Sequence, residues 1–346
     1  MLPVRVDALS RSLDNVLERY HSAHAFDGVV VIRRHGAITY RAAVGESDRS
    51  THRPMRVDAL FPLASLTKQV TALLILQEVE RGRLKLDEPL STSLDEHLPA
   101  EAAGLTVRQL LQHTSGVPDP EADAVDGSPP TFYLRRAIGT GREEAAACLR
   151  GAFGPVGTFR YNNCDYIVLG AVLERLGGAP FAQLVHERVT ARLGLPTWGL
   201  FTSSPILGIV SGYDDHDRPA PPLNLASFGA AGGLYGDATD VSRWSQALLK
   251  SELVAPETTR VMFHGDEALQ HEALGSWAYS LQLPGRANPV SLVERQGTIS
   301  GVRVLALFSP SDDFTITILA NTERAELFDL WTEKGLPFEL VQLVAR

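Results

Sequence analysis

Ser65 and Lys68 stand three residues apart in the segment Phe61-Pro-Leu-Ala-Ser-Leu-Thr-Lys68. On a helix that spacing puts a hydroxyl and an amine on one face, about one turn apart. A serine hydroxyl needs a neighbour to take its proton before it attacks, and a desolvated lysine titrates low enough to do so. If the helix begins at Ser65, its first backbone N–H groups and positive dipole end also face a developing oxyanion. The competing reading is a serine cap followed by a solvent-facing lysine. Two facts favour chemistry: this is the only Ser-x-x-Lys in the chain, and the other lysines are only Lys85, Lys250 and Lys334.

Two further segments carry suitable groups. Tyr161-Asn162-Asn163 is the only Tyr-x-Asn. A phenol beside a lysine ammonium gives up its proton more readily and can shuttle it, while an amide can hold a substrate carbonyl. A ring packed in a loop and an asparagine capping the next helix fit the same residues. In Arg295-Gln-Gly297-Thr298, glycine allows a substrate close to the backbone and the Thr298 N–H can aim at an oxyanion; alone, this segment reads as the entry to a hairpin. Other groups have simpler explanations. His113 has Lys68 and Tyr161 as better candidates for base, the 213–217 cluster of Tyr, Asp and His reads as a solvated loop rather than a cation site, and Trp277 and Tyr279 suit an acyl pocket or a core equally. No His and Cys spacing suits zinc, and Gly-x-Ser-x-Gly is missing, which argues against an α/β-hydrolase with a histidine triad.

The elements that must position these groups follow from periodicity. A helix is predicted over 7–21, then a hairpin with strands over 28–33 and 37–44, and a long buried helix from Ser65 to Arg81, where Val70, Leu73, Leu74, Leu76 and Val79 recur at helical spacing before Gly82. Between 84 and 222 the pattern is helical, with the clearest helices over 165–176 and 181–193. The glycine-rich stretch 229–236 lacks phosphate-loop spacing and leads to a helix over 241–249 capped by Thr239 or Asp240. Strands over 302–308 and 314–319 and a terminal helix complete the chain. Strands at both ends and helices between them predict an α+β arrangement rather than βαβ units.

Composition narrows the classes. Of 346 residues, 41 are acidic and 32 basic, so the formal charge of -9 argues against nucleic acid as a partner. Apolar residues at 44% and charged residues at 21% leave ample material for a core and exclude disorder. There is no apolar run long enough for a membrane span. Arg5, Asp7, Arg11 and Asp14 interrupt any signal-like run, so a cytoplasmic protein is expected, with Cys148 and Cys164 as free thiols rather than a disulfide.

Taken together the motifs carry a resemblance. Ser65-Leu-Thr-Lys68, the run 105–116 ending His113-Thr-Ser-Gly116, Tyr161-Asn-Asn163 with 166–170, Gly232-Gly-Leu-Tyr235, and Arg295-Gln-Gly297 with Gly301 occur in the order found in serine β-lactamase-like proteins. That group holds class C β-lactamases, DD-peptidases of the penicillin-binding-protein kind, and related carboxylesterases and acyltransferases. The resemblance implies a serine β-lactamase/DD-peptidase-like α+β fold: an antiparallel sheet flanked by helices, from 1–62 and 225–346, and a mostly helical second domain over 63–224, with the active site between them. It implies Ser65 as acylated nucleophile, Lys68 and Tyr161 as proton relay, and Asn163 as substrate-orienting amide. The N–H groups of Ser65 and Thr298 would form the oxyanion hole, Arg295 and Gly297 would belong to the substrate-binding third motif, and His113-Thr-Ser-Gly116 would be structural. A small-molecule ester or amide is the expected substrate, with neither metal nor cofactor; oligomeric state stays open.

The chain departs from that group at Arg295, where lactamases and peptidases usually place Lys or His. Arginine keeps the charge but does not deprotonate and grips carboxylates differently. This tilts the expectation toward a serine hydrolase of carboxylic esters. The alternatives are an acyltransferase using the same acyl-enzyme, a β-lactamase or D-amino-acid peptidase, and a catalytically silent binding module.

Overall fold

Four consecutive β-branched residues, Val29 to Ile32, make β1 (Gly28–Arg34) a strand buried on both faces, the position such residues suit best. His35 and Gly36 both take positive φ and turn the chain into β2 (Ala37–Val44). The other strands come from the far end of the chain: β3 (Trp277–Leu281), β4 (Val290–Ile299), β5 (Val302–Ser309) and β6 (Phe314–Ala320). They form one six-stranded antiparallel sheet in the order β2-β1-β6-β5-β4-β3. The period of two along β1 divides the core. Val30 and Ile32 face a cluster shared with α1 (Ala8–Ser22) and α6 (Gly335–Val344), while Val29 and Val31 face the main cluster on the other side. The architecture is therefore α+β, an antiparallel sheet with helices on both faces.

The computed structural model describes residues 8–94, 98–119, 131–134 and 141–345. Of the segment 116–130, which its glycines and prolines predict to be a loop, 120–130 lies outside the described residues.

On the main-cluster face, α2 (Leu66–Glu80) is buried around its circumference from Leu66 to Glu78, as its run of Leu, Ile and Val requires. Against it pack α4 (Asn163–Gly177) and the short helix Gly229–Gly232. A Cβ on Gly170 would stand 2.7 Å from that of Ala230, so glycine is what lets α4 approach this closely. α3 (Gly141–Cys148) lies on α4, and α5 (Ala238–Leu249) on β1, β5 and β6.

Several sequence expectations need correction. The two cysteines are joined: Cys148 at the end of α3 and Cys164 in the first turn of α4 form a disulfide across Cα atoms 5.3 Å apart. The expectation of free thiols rested on compartment, whereas helix packing brings these two positions within bridging distance. A bond closing a loop of 16 residues contributes about 3 kcal/mol in the chain-entropy account. The helix expected at 241–249 begins at Ala238, because Asp237 accepts the N–H of Asp240 at 2.8 Å and is the cap. The helix expected over 181–193 is interrupted by a π turn at His186–Thr190. The Arg295 motif lies inside β4 rather than ahead of a strand. Among the described residues, no single helix is long and apolar enough to cross a membrane.

Candidate active site

Ser65 occupies the cap position of α2, but its side chain makes no capping bond. Its hydroxyl is therefore left for other partners, and it has two. Tyr161 Oη donates to Ser65 Oγ at 2.6 Å and Lys68 Nζ at 3.1 Å. Ala64, just before it, takes φ of 48°, a left-handed conformation unusual for a residue with a Cβ. Thr67 holds this turn by donating its hydroxyl to the Ala64 carbonyl at 2.7 Å.

Lys68 is not solvent-facing; it is fully buried. Besides Ser65 Oγ, its ammonium donates to Asn163 Oδ1 at 2.6 Å and to the Ala231 carbonyl at 2.9 Å. An unpaired buried ammonium would be prohibitive, and these acceptors are what make it tolerable. The 229–236 stretch, which carried no chemical reading in the sequence, thus supplies a main-chain acceptor to the lysine.

The Tyr161 segment assigns its two asparagines to different tasks. Asn162 caps α4, its Oδ1 accepting the Cys164 N–H at 2.8 Å while its Nδ2 donates to the Val117 carbonyl at 2.7 Å. Asn163 is thereby released to hold Lys68, and its Nδ2 donates to Tyr133 Oη at 3.0 Å. His113 stands behind Tyr161, ring centroids 4.5 Å apart, and its Nδ1 accepts the Asn162 N–H at 3.2 Å. That Nδ1 also lies 2.9 Å from a carboxyl oxygen of Asp165. Burial drives the His113 pKa well below its ordinary range, with Lys68 and Arg295 adding to the effect, and drives that of Asp165 well above its own. Burial thus favours the neutral form of each, and the pair braces the backbone of the Tyr161 segment from behind.

Arg295, expected among the substrate-binding groups, is fully buried and is not among the described residues that line the cavity. It reaches down from β4: Nε donates to the Ser65 carbonyl at 2.9 Å and Nη2 to Tyr161 Oη at 2.8 Å. A phenolate at Tyr161 would thus lie between two cations, since Lys68 Nζ is 4.8 Å from the ring centroid. Beside Arg295, at 3.9 Å from Nη1, is Glu272, a buried carboxylate that sequence reasoning missed and whose oxygens have no hydrogen-bond donor among the described residues. Burial outweighs the attraction of Arg295 and Lys68 and pushes its pKa up to about 8. The unfolded chain ionises this group at ordinary glutamate pH while the folded protein does not, so its contribution to stability is full below that range and lost as pH rises toward about 8. Glu272→Gln is therefore expected to flatten the fall in Tm over this interval, read by thermal melts at several pH values; an unchanged slope would contradict it.

Gly297 brings β4 against the nucleophile turn. A Cβ there would stand 2.9 Å from Ser65 N and 3.0 Å from the Ala64 Cβ, so only glycine fits without displacing the strand. Thr298 follows, exposed at the edge of a cavity of about 620 Å³. That cavity is lined by Ser65, Tyr161, Asn163, Gly297 and Thr298 together with Gln296, Ser300, Trp277 and several apolar groups. Tyr279 turns away and donates to Glu294 at 3.0 Å. The 213–217 cluster lies elsewhere, with Asp214 paired to Arg218 and Asp217 to Arg49 and Arg324.

A nucleophile with two proton-transfer partners, held at a helix N-terminus above an open cavity, can form and release an acyl group. Known proteins resemble this chain in sequence and in fold. The family model described as Beta-lactamase matches residues 13–334. Esterase EstB of Burkholderia gladioli is 32% identical over 302 residues, 75% of each chain. A penicillin-binding protein from Bacillus halodurans superposes with a TM-score of 0.72 at 28% identity, over 90% of this chain and 95% of that one. EstCE1, described as a hydrolase with promiscuous acyltransferase activity, shares the fold with a TM-score of 0.78 at 21% identity, over 98% of both chains.

Proposed function

The chain belongs to the Beta-lactamase family and is a serine hydrolase, and from that premise we propose that it hydrolyses carboxylic esters through an acyl-enzyme on Ser65. The observation that carries this reading is the convergence of Tyr161 Oη and Lys68 Nζ on an uncapped Ser65 Oγ. In acylation the Tyr161 and Lys68 pair enters as phenolate and ammonium: Ser65 Oγ bonds to the ester carbonyl carbon while its proton passes to the Tyr161 oxygen, beside Lys68 and Arg295. The N–H groups of Ser65 and Thr298 stabilise the oxyanion. The ester C–O bond then breaks, the relay returns the proton to the departing alkoxide, and water repeats the sequence in reverse to free the acid. Arg295 acts in this scheme as a positioning residue, holding Tyr161 and the Ser65 carbonyl from below. We place the reaction between a sheet unit, 1–62 and 225–346, and a helical unit, 63–224.

Esters rather than amides follow from Arg295. Its charge is spent inside the protein, so the carboxylate grip expected of lactam or peptide recognition is missing from this position. The expected result is steady turnover of p-nitrophenyl butyrate, with a penicillin giving at most a slowly released adduct; faster turnover of the penicillin would overturn the ester reading. Acyl transfer is the second reading, favoured by the resemblance in fold to EstCE1, whose description includes that activity. Adding an alcohol to the ester assay separates the two: new ester product at the expense of free acid indicates transfer.

A further inference from the structure

Tyr133 belongs to none of the sequence motifs, yet it lines the cavity and meets the machinery directly. Its hydroxyl oxygen accepts from Asn163 Nδ2 at 3.0 Å, and its backbone carbonyl accepts from Asn224 N at 2.9 Å. Its ring stacks on Phe228 with centroids 4.1 Å apart and planes within 6°. With Ala64 and Ile299 these two rings form a small apolar cluster, separate from both cores, directly before the nucleophile. The cations near Ser65 are turned inward. Lys68 donates to Ser65 Oγ, Asn163 Oδ1 and the Ala231 carbonyl, and Arg295 is buried against the Ser65 carbonyl and Tyr161. Among the described residues lining the cavity, none is Asp, Glu, Lys, Arg or His.

We propose that Tyr133 determines acyl specificity: by engaging the Asn163 amide and stacking on Phe228, it shapes the cavity for uncharged acyl groups that carry no amino, acylamino or carboxylate substituent. The preferred substrates are then simple aliphatic or aryl esters. A charged acyl group would lose hydration here without gaining an opposite charge among the described lining residues, which is a heavy penalty. An acylamino group would compete with Tyr133 for the Asn163 amide donor. This inference rests on the ester reading above.

The test compares kcat/KM for the p-nitrophenyl esters of butyrate, hemisuccinate and N-acetyl-D-alanine. Butyrate is expected to lead both others by roughly 100-fold, since the described lining offers no charge to the carboxylate and Tyr133 already occupies the Asn163 amide. Tyr133→Phe keeps the ring and releases Asn163, so the butyrate-to-acetylalanine ratio is expected to fall about tenfold. Phe228→Ala provides a second variant, in which loss of the stacked wall lowers the preference for butyrate over acetate esters. Equal turnover of the three esters by the unsubstituted protein, or ratios unmoved in both variants, would overturn the specificity role alone. No turnover of any ester, with Ser65 unlabelled by a fluorophosphonate, would overturn the ester reading and this inference together.

Discussion

Ser65→Ala is expected to remove ester turnover almost entirely, by a factor on the order of 10⁴ to 10⁶, the scale seen when a nucleophile acting within a catalytic unit is deleted. The same substitution leaves the fold in place. Ser65 contributes no capping bond to α2, and the turn before it is held by Thr67 and the Ala64 carbonyl. The variant should melt within a few degrees of the unsubstituted protein, so lost activity cannot be assigned to lost structure. Turnover comparable to the unsubstituted protein would remove Ser65 from the mechanism.

Lys68→Ala is the second large effect, with kcat expected to fall by about 10² to 10⁴, the contribution of a positioned acid or base. It differs from the first in its structural consequences. The ammonium bonds Ser65, Asn163 and the Ala231 carbonyl at once, so its removal leaves buried acceptors without a donor and opens a cavity beside the first turn of α2. A lower Tm is therefore expected together with the lower rate. The two effects separate in single-turnover acylation at a temperature well below the melt, where only the loss of proton transfer shows. Acylation at the original rate in a folded Lys68→Ala protein would leave Tyr161 as the sole relay.

Much of this site was legible because its chemistry is local. Ser65 and Lys68 share one helical turn, and that spacing survives in any environment. Tyr161 and Asn163 were legible as residue types before a helix, but only the structure shows that Asn162 takes the capping task and leaves Asn163 to the lysine. The long-range contacts had no local signal. Glu272 reaches Arg295 from a segment between α5 and β3, Tyr133 reaches Asn163 from an otherwise unremarkable aromatic pair, and Ala231 contributes only its main chain. Arg295 shows the difference most plainly: its type told of a charge near the site, but only the structure shows that its side of β4 carries it to Tyr161 and Glu272. In the fold, β1, β2, β5 and β6 followed from apolar or alternating runs joined by turns, while β3 and most of β4 carry no such run. The disulfide was missed for a related reason, since the approach of α3 to α4 is a tertiary fact.

The central claim is that Ser65 is the residue that becomes acylated. Intact-protein mass spectrometry after exposure to a fluorophosphonate, followed by peptide mapping, tests it in the unsubstituted protein and in Ser65→Ala. A single adduct on the 61–68 peptide at Ser65, absent from the variant, is the predicted result. An adduct on another residue, or none in a folded and ester-active protein, would contradict it.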